Sequence, residues 1–114
     1  MEPFELFEHE IARKYREAGF EDADTTKASG AIRGDGDVKA GSIMGSCKWT
    51  AKDSISVTKS DFTKTTKQAS RYWRTPVFHR SCASGKFVTV SQDLYFELLK
   101  HAVESGKVAW LVKP

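Results

Sequence analysis

Cysteine, proline and long apolar runs are all scarce in this chain. Cys47 and Cys82 are its only thiols, with no CxxC pair and no zinc-ligand spacing. That excludes a disulfide-framed secreted scaffold and a zinc ribbon. The two read as reduced thiols of a cytosolic protein, with a single disulfide between them as the alternative. No apolar stretch approaches the ~20 residues of a membrane span. Glu2, Glu5, Glu8 and Glu10 stand where a signal peptide would carry a basic region, so none is expected. Repeats, low-complexity tracts and linkers are missing too, and the 114 residues read as one domain. A chain of that length can bury a core without covalent staples. His9, His79 and His101 are scattered, and no metal-ligand spacing gives them a role.

The net charge of +3 is small but uneven. Residues 1–37 hold ten acids against five Lys or Arg. Residues 46–80 hold eight basic residues, among them Lys48, Lys52, Lys64, Lys67, Arg71 and Arg74, against Asp53 and Asp61. An acidic cluster for a cation beside a basic surface for phosphates suits a nuclease. A solvated basic helix face is the other reading of the same charges.

Apolar Phe4, Phe7, Ile11, Tyr15 and Ala18 recur every three or four positions and predict a helix over 3–18 that Gly19 ends. Residues 21–29 read as loop, 31–33 as the start of a strand, and Gly34-Asp35-Gly36 as a turn. Residues 38–40 and 42–49 read as a hairpin turning near Gly41, and 55–57 as a short strand. Ser60 is the expected N-cap of a helix that carries Asp61 in its first turn, runs to about Trp73 and stops at Thr75-Pro76. Strands are expected at 77–78 and 87–90, a helix over 92–104 capped by Ser91, and a last strand over 108–112. This order predicts an α/β fold with a mixed central sheet flanked by helices.

The chemistry concentrates in Gly34-Asp35-Gly36-Asp37-Val38 and Ser46-Cys47-Lys48-Trp49-Thr50. Asp37 stands at the start of one strand and Lys48 near the end of the next. A strand-edge carboxylate can hold Mg²⁺, which needs only one or two carboxylates beside water and a substrate phosphate. Lys48 shares a strand face with Ser46. There its ammonium can orient the attacking water and stabilise charge on the phosphorus. Cys47 faces the core between them, while its backbone carbonyl could serve as a metal ligand. Asp and Gly also favour turns, so taken alone 34–37 reads first as a plain turn. Lys64, Lys67, Arg71 and Arg74 share a helical spacing that suits a phosphate backbone. Phe62, Tyr72 and Trp73 suit a core or a dimer interface better than base stacking.

The segment from Glu8 through Gly19-Phe20 resembles the first helix of the archaeal Holliday junction resolvases, members of the PD-(D/E)xK nuclease superfamily. Ala28-Ser29-Gly30 resembles that family's Ser-Gly loop, Asp37-Val38-Lys39-Ala40 its Asp-apolar segment, and Ser46-Cys47-Lys48 its ExK strand. Gln68-Ala69-Ser70-Arg71-Tyr72 fits the Q-x-x-x-Y pattern of other branches, and Cys47-Lys48-Trp49-Thr50 the C-K-x-T of small phage-encoded nucleases. The resemblance spans roughly residues 5–79. It implies a restriction-endonuclease-like fold and Mg²⁺-dependent endonucleolytic cleavage of DNA, branched DNA above all, with Mn²⁺ able to substitute. It implies Glu8, Asp37, Lys48, Ser29 and Gln68 as catalytic residues, Glu8 and Asp37 among the metal ligands, and a homodimer that makes two symmetric cuts in recombining or phage DNA.

Ser46 departs from this pattern, since the family has Glu there. Some restriction enzymes of the superfamily with S-x-K supply the carboxylate from a downstream helix. Asp61, thirteen residues after Lys48, is placed to do so. Two rival readings follow from Ser46: a DNA-binding protein with a nuclease fold and an impaired metal site, and an adaptor that binds protein through exposed aromatics.

Overall fold

The structure, a computed structural model, describes residues 1–26 and 35–113, with backbone alone at 35 and 36. The first helix, α1 (Pro3–Glu17), starts with proline where a missing N–H costs no hydrogen bond. Gly19 ends it in the left-handed region, at φ 111°. Phe20 then donates its N–H to the Tyr15 carbonyl at 2.9 Å and packs its ring edge-on against the Tyr15 ring.

Strands β1 (Asp24–Thr25), β2 (Asp35–Ala40) and β3 (Ile43–Trp49) run antiparallel in chain order. Helix α2 (Lys59–Arg71) carries the chain across to β4 (Thr75–Cys82), which pairs parallel with β3. Strand β5 (Gly85–Thr89) returns antiparallel to β4. The described sheet has five strands in the order β1-β2-β3-β4-β5, and α3 (Gln92–Glu104) and α4 (Ala109–Val112) follow it. This is an α/β fold with a mixed sheet and flanking helices.

Strand alternation divides the work of the sheet between its faces. Val38 and Cys47 face α1 and form the core with Phe7, Ile11 and Ala12, with Tyr15 and Trp49 at its edge. Asp37, Ser46, Lys48, Phe78 and Arg80 are in register on the other face. There α2 covers them, its Phe62 ring 4.7 Å from that of Phe78 and its Asp61 paired with Lys48. The hairpin between β2 and β3 turns at Gly41, φ 54°, where a Cβ would lie 3.1 Å from the Phe20 ring. Both free thiols persist, Cys47 buried and Cys82 half-buried.

Several expectations need correction. Residues 24–25 form a strand inside the expected loop, because their backbone finds a partner in Val38 and Lys39. Residues 55–57 form none: they lie in the connection from β3 to α2, past the bonds that tie Thr50 to Ser81 and Lys52 to Ala83. Helix α2 is capped by Thr58, two residues before Ser60, so Asp61 occupies its third position and closes a capping box with Thr58. It ends at Arg71, and Thr75-Pro76 opens β4 instead of only stopping the helix. Proline is tolerated there near the start of a strand. Residues 109–112 are helical where a strand over 108–112 was expected, since so short an apolar run has no distinguishing period and no sheet edge meets it. The expected strand at 31–33 and the 28–30 loop with Ser29 lie outside the described residues.

Candidate functional site

The face under α2 gathers an ionic cluster from three elements. Lys48 reaches across from β3 and donates to Asp61 Oδ1 at 2.5 Å. The other carboxylate oxygen, Oδ2, accepts the Thr58 backbone N–H at 2.9 Å and lies 3.4 Å from Arg80 Nη2 on β4. Local sequence explains the placement. Thr58 caps the helix and bonds the Asp61 N–H, which fixes the Asp61 backbone at the turn that meets the sheet. Lys48 and Arg80 are direct partners in the parallel β3–β4 register and so point the same way.

Burial and charge set the electrostatics. Burial alone would raise the Asp61 carboxyl, but hydrogen bonds from Lys48 and Thr58 and the Lys48 charge outweigh it and hold the group down at about 2. Asp61 is therefore an anion throughout the physiological range. Arg80 is only 2% exposed. Its Nη1 donates to the carbonyls of Ser46 and His79, both at 2.9 Å, while Nε and Nη2 find no hydrogen-bond partner. Within the trio two cations meet one anion. Lys48 stays partly exposed, so the surplus charge lies toward solvent.

The predicted site residues are placed as follows. Asp37 is half-buried on β2, directly opposite Ser46, which is buried. Asp37, Lys48 and Asp61 thus share one side of the sheet. Glu8 is buried on α1, the helix that covers the opposite face. The Cys47 side chain is in the core, as its position in the strand requires. Gln68 is half-buried on α2, seven residues past Asp61 and hence ~10 Å along the helix axis. Lys52 is exposed in the segment after β3. Lys64, Lys67 and Arg71 are exposed along α2, whereas its Asp61, Thr65 and Ala69 are buried. Arg74 lies beyond the helix end and leaves that face; it is half-buried beside the Tyr72 ring.

Mg²⁺ takes oxygen donors of the kind Asp37, Glu8 and Asp61 provide. Their positions fit less well than their chemistry. Among the described residues no three His, Cys, Asp or Glu side chains come together as a cation site. Both Asp61 oxygens are already engaged by the protein.

Two features escaped sequence reasoning. Arg80 is one of the eight basic residues counted over 46–80, and nothing in a linear pattern reveals that β4 pairs with β3 in the register that buries it. His79, given no role, accepts or donates a 2.6 Å hydrogen bond between its Nε2 and the Tyr15 hydroxyl on the α1 face. Burial, then the Arg80 charge, pushes His79 down to about 4. Burial, then the Cys47 thiol, raises the Tyr15 hydroxyl. The neutral pair joins α1 to β4. Comparison of the chain with protein-family models, curated proteins and solved structures found no match.

Proposed function

We propose that this chain is a metal-dependent endodeoxyribonuclease of the restriction-endonuclease-like kind, acting on DNA and on branched DNA in particular. The observation that carries the reading is the approach of Asp61 to Lys48 on the face that holds Asp37 and Ser46. A carboxylate absent from the strand is brought to that side by the next helix. Lys48 is the group that would orient water and meet charge developing on a phosphate. Its pairing with Asp61 keeps it aimed. Mg²⁺ or Mn²⁺, where bound, supplies Lewis-acid polarisation of the phosphodiester. Phosphate contacts along Lys64, Lys67 and Arg71 would hold the backbone without choosing sequence. Such work belongs to the cytoplasm of a bacterial, archaeal or phage-infected cell.

Two cuts across a junction need two copies of the chain. Helix α3 supports that pairing: Tyr95, Phe96 and Leu98 are exposed, and no α3 residue is buried. Trp110 and Leu111 of α4 are exposed as well. The chain presents 8028 Å² of surface, against roughly 6,300 Å² for a compact monomer of its 12.8 kDa mass. No described helix is long and apolar enough to cross a membrane.

A second reading, DNA binding without cleavage, is favoured by the engaged oxygens of Asp61. One experiment separates the two. Plasmid and a synthetic four-way junction are incubated with the protein in Mg²⁺, Mn²⁺ or EDTA. Nicking that needs the cation and vanishes in Asp37→Asn, with binding kept, supports the nuclease. Binding without nicking under any metal selects the second reading, and nicking that survives in Asp37→Asn refutes the metal assignment.

A further inference from the structure

Where α2 ends, the backbone does something unfavourable with a large residue. Trp73 adopts φ 56°, the single non-glycine residue with positive φ among those described, and its side chain is 93% exposed. A bulky residue in the left-handed region is strained. Here burial does not offset the strain, because the indole packs against nearly nothing. Tyr72 beside it is exposed too.

Of this pair, the Tyr72 ring has two cations over it. Lys39 Nζ lies 5.6 Å from the centroid of the Tyr72 ring, and the Arg74 guanidinium carbon lies 5.7 Å from it. Arg74 is half-buried, with its Nη1 turned into the protein and without a hydrogen-bond partner. Arg71, one residue before Tyr72, is exposed. Arg71, Arg74 and Lys39 all carry positive charge. Exposed rings and cations stand side by side in this patch. Exposed π-faces flanked by Lys and Arg are what unpaired nucleobases and their phosphates require.

The position of the patch ties it to the candidate site. Lys39 follows Asp37 by two residues on β2, so both leave the same face, ~7 Å apart along the strand. The patch and the Asp37–Lys48–Asp61 face therefore form one continuous side of the sheet.

We propose that Trp73 and Tyr72 are a stacking platform for unpaired bases of DNA, with Lys39, Arg71 and Arg74 taking the adjoining phosphates. This rests on the DNA reading above and specifies its substrate: DNA whose strands are unpaired next to the scissile phosphate, as at a branch point or a single-stranded flap. A base stacked on Trp73 holds the neighbouring backbone beside Asp37.

The test measures binding by fluorescence anisotropy in EDTA, where cleavage cannot occur. The probes are a labelled oligo-dT single strand and a blunt duplex of equal length, and the proteins are the full chain, Trp73→Gly and Trp73→Phe. Trp73→Gly should weaken single-strand binding by about tenfold or more, as loss of one stacked base does, and change duplex binding by less than about twofold. Its thermal midpoint should stay level or rise, because glycine accepts φ 56° without strain. Trp73→Phe should keep most of the single-strand affinity. Equal losses on both probes, or none on either, would overturn the platform while leaving DNA binding intact. So would a halving of the particle mass of Trp73→Gly in light scattering, which would place Trp73 between two copies of the chain. Failure of the wild type to bind either probe would overturn the DNA reading together with the platform.

Discussion

Replacing Asp61 with alanine should destabilise the fold before it reveals anything about catalysis. The carboxylate is the ion partner of Arg80, which is 2% exposed and already leaves two guanidinium nitrogens without hydrogen bonds. Asp61→Ala strands that charge in the interior and leaves the Thr58 N–H without its acceptor. Breaking a buried pair from one side costs about 3–5 kcal/mol. That is a large part of the ~5–15 kcal/mol available to a domain of this size. With a urea m-value of ~1.5 kcal/mol per molar, the midpoint of unfolding should fall by roughly 2–3 M. Arg80→Met on its own should cost less, since Asp61 keeps Lys48 and Thr58. The double change Asp61→Ala with Arg80→Met should recover much of the loss, because neither charge remains to be desolvated. Equilibrium urea denaturation followed by far-UV circular dichroism reads all three. A shift below about 0.7 M for Asp61→Ala, or a double variant no more stable than the worse single one, refutes the view that Asp61 compensates Arg80. Cleavage by Asp61→Ala is therefore informative only below its own unfolding transition, and Asp61→Asn is the better kinetic probe.

Two further outcomes follow from the geometry. His79 has its folded value lowered to about 4 from an ordinary 6.5, so the unfolded chain binds the extra proton first. Its contribution is full above pH 6.5 and is lost as pH falls toward 4, by about 3 kcal/mol. Unfolding free energy measured against pH should show this slope and lose it in His79→Gln; a slope that survives assigns it to another group. On the basic face, Lys67→Gln with Arg71→Gln should flatten the plot of log duplex affinity against log salt by about 0.9 per lost phosphate contact. An unchanged slope moves the DNA surface elsewhere.

Elements with a strong local signal were legible in the sequence. The apolar spacing of α1, the Ser91 cap of α3 and the turn at Gly41 depend on neighbours within a few residues, and the structure has all three. The alternation of β3 likewise puts Cys47 in the core and Lys48 on the far side. What could not be read depends on distant partners. The β1 strand exists because β2 accepts it, and the apolar run at 109–112 turns helical because no sheet edge receives it. Asp61 was placed near Lys48 by counting residues to the next helix, yet the depth of Arg80 beneath them required the parallel β3–β4 register. For Tyr72 and Trp73 the sequence left core and dimer interface both open; the structure excludes the core, with both residues exposed and Trp73 in the left-handed region.

Neighbouring residues of β4 have opposite requirements. His79 must be neutral against Tyr15 and α1, while Arg80 must be charged against Asp61 and α2. A slip of one residue between β4 and β3 would exchange them, putting a guanidinium into the apolar side and an imidazole opposite the carboxylate. Either error alone would be costly, and a slip commits both at once. Strand β4 is connected to β3 through the α2 crossover, so no tight turn fixes its pairing. The His79-Arg80 dipeptide thus acts as a register key during folding, rejecting the near-miss sheets that a uniformly apolar central strand would tolerate.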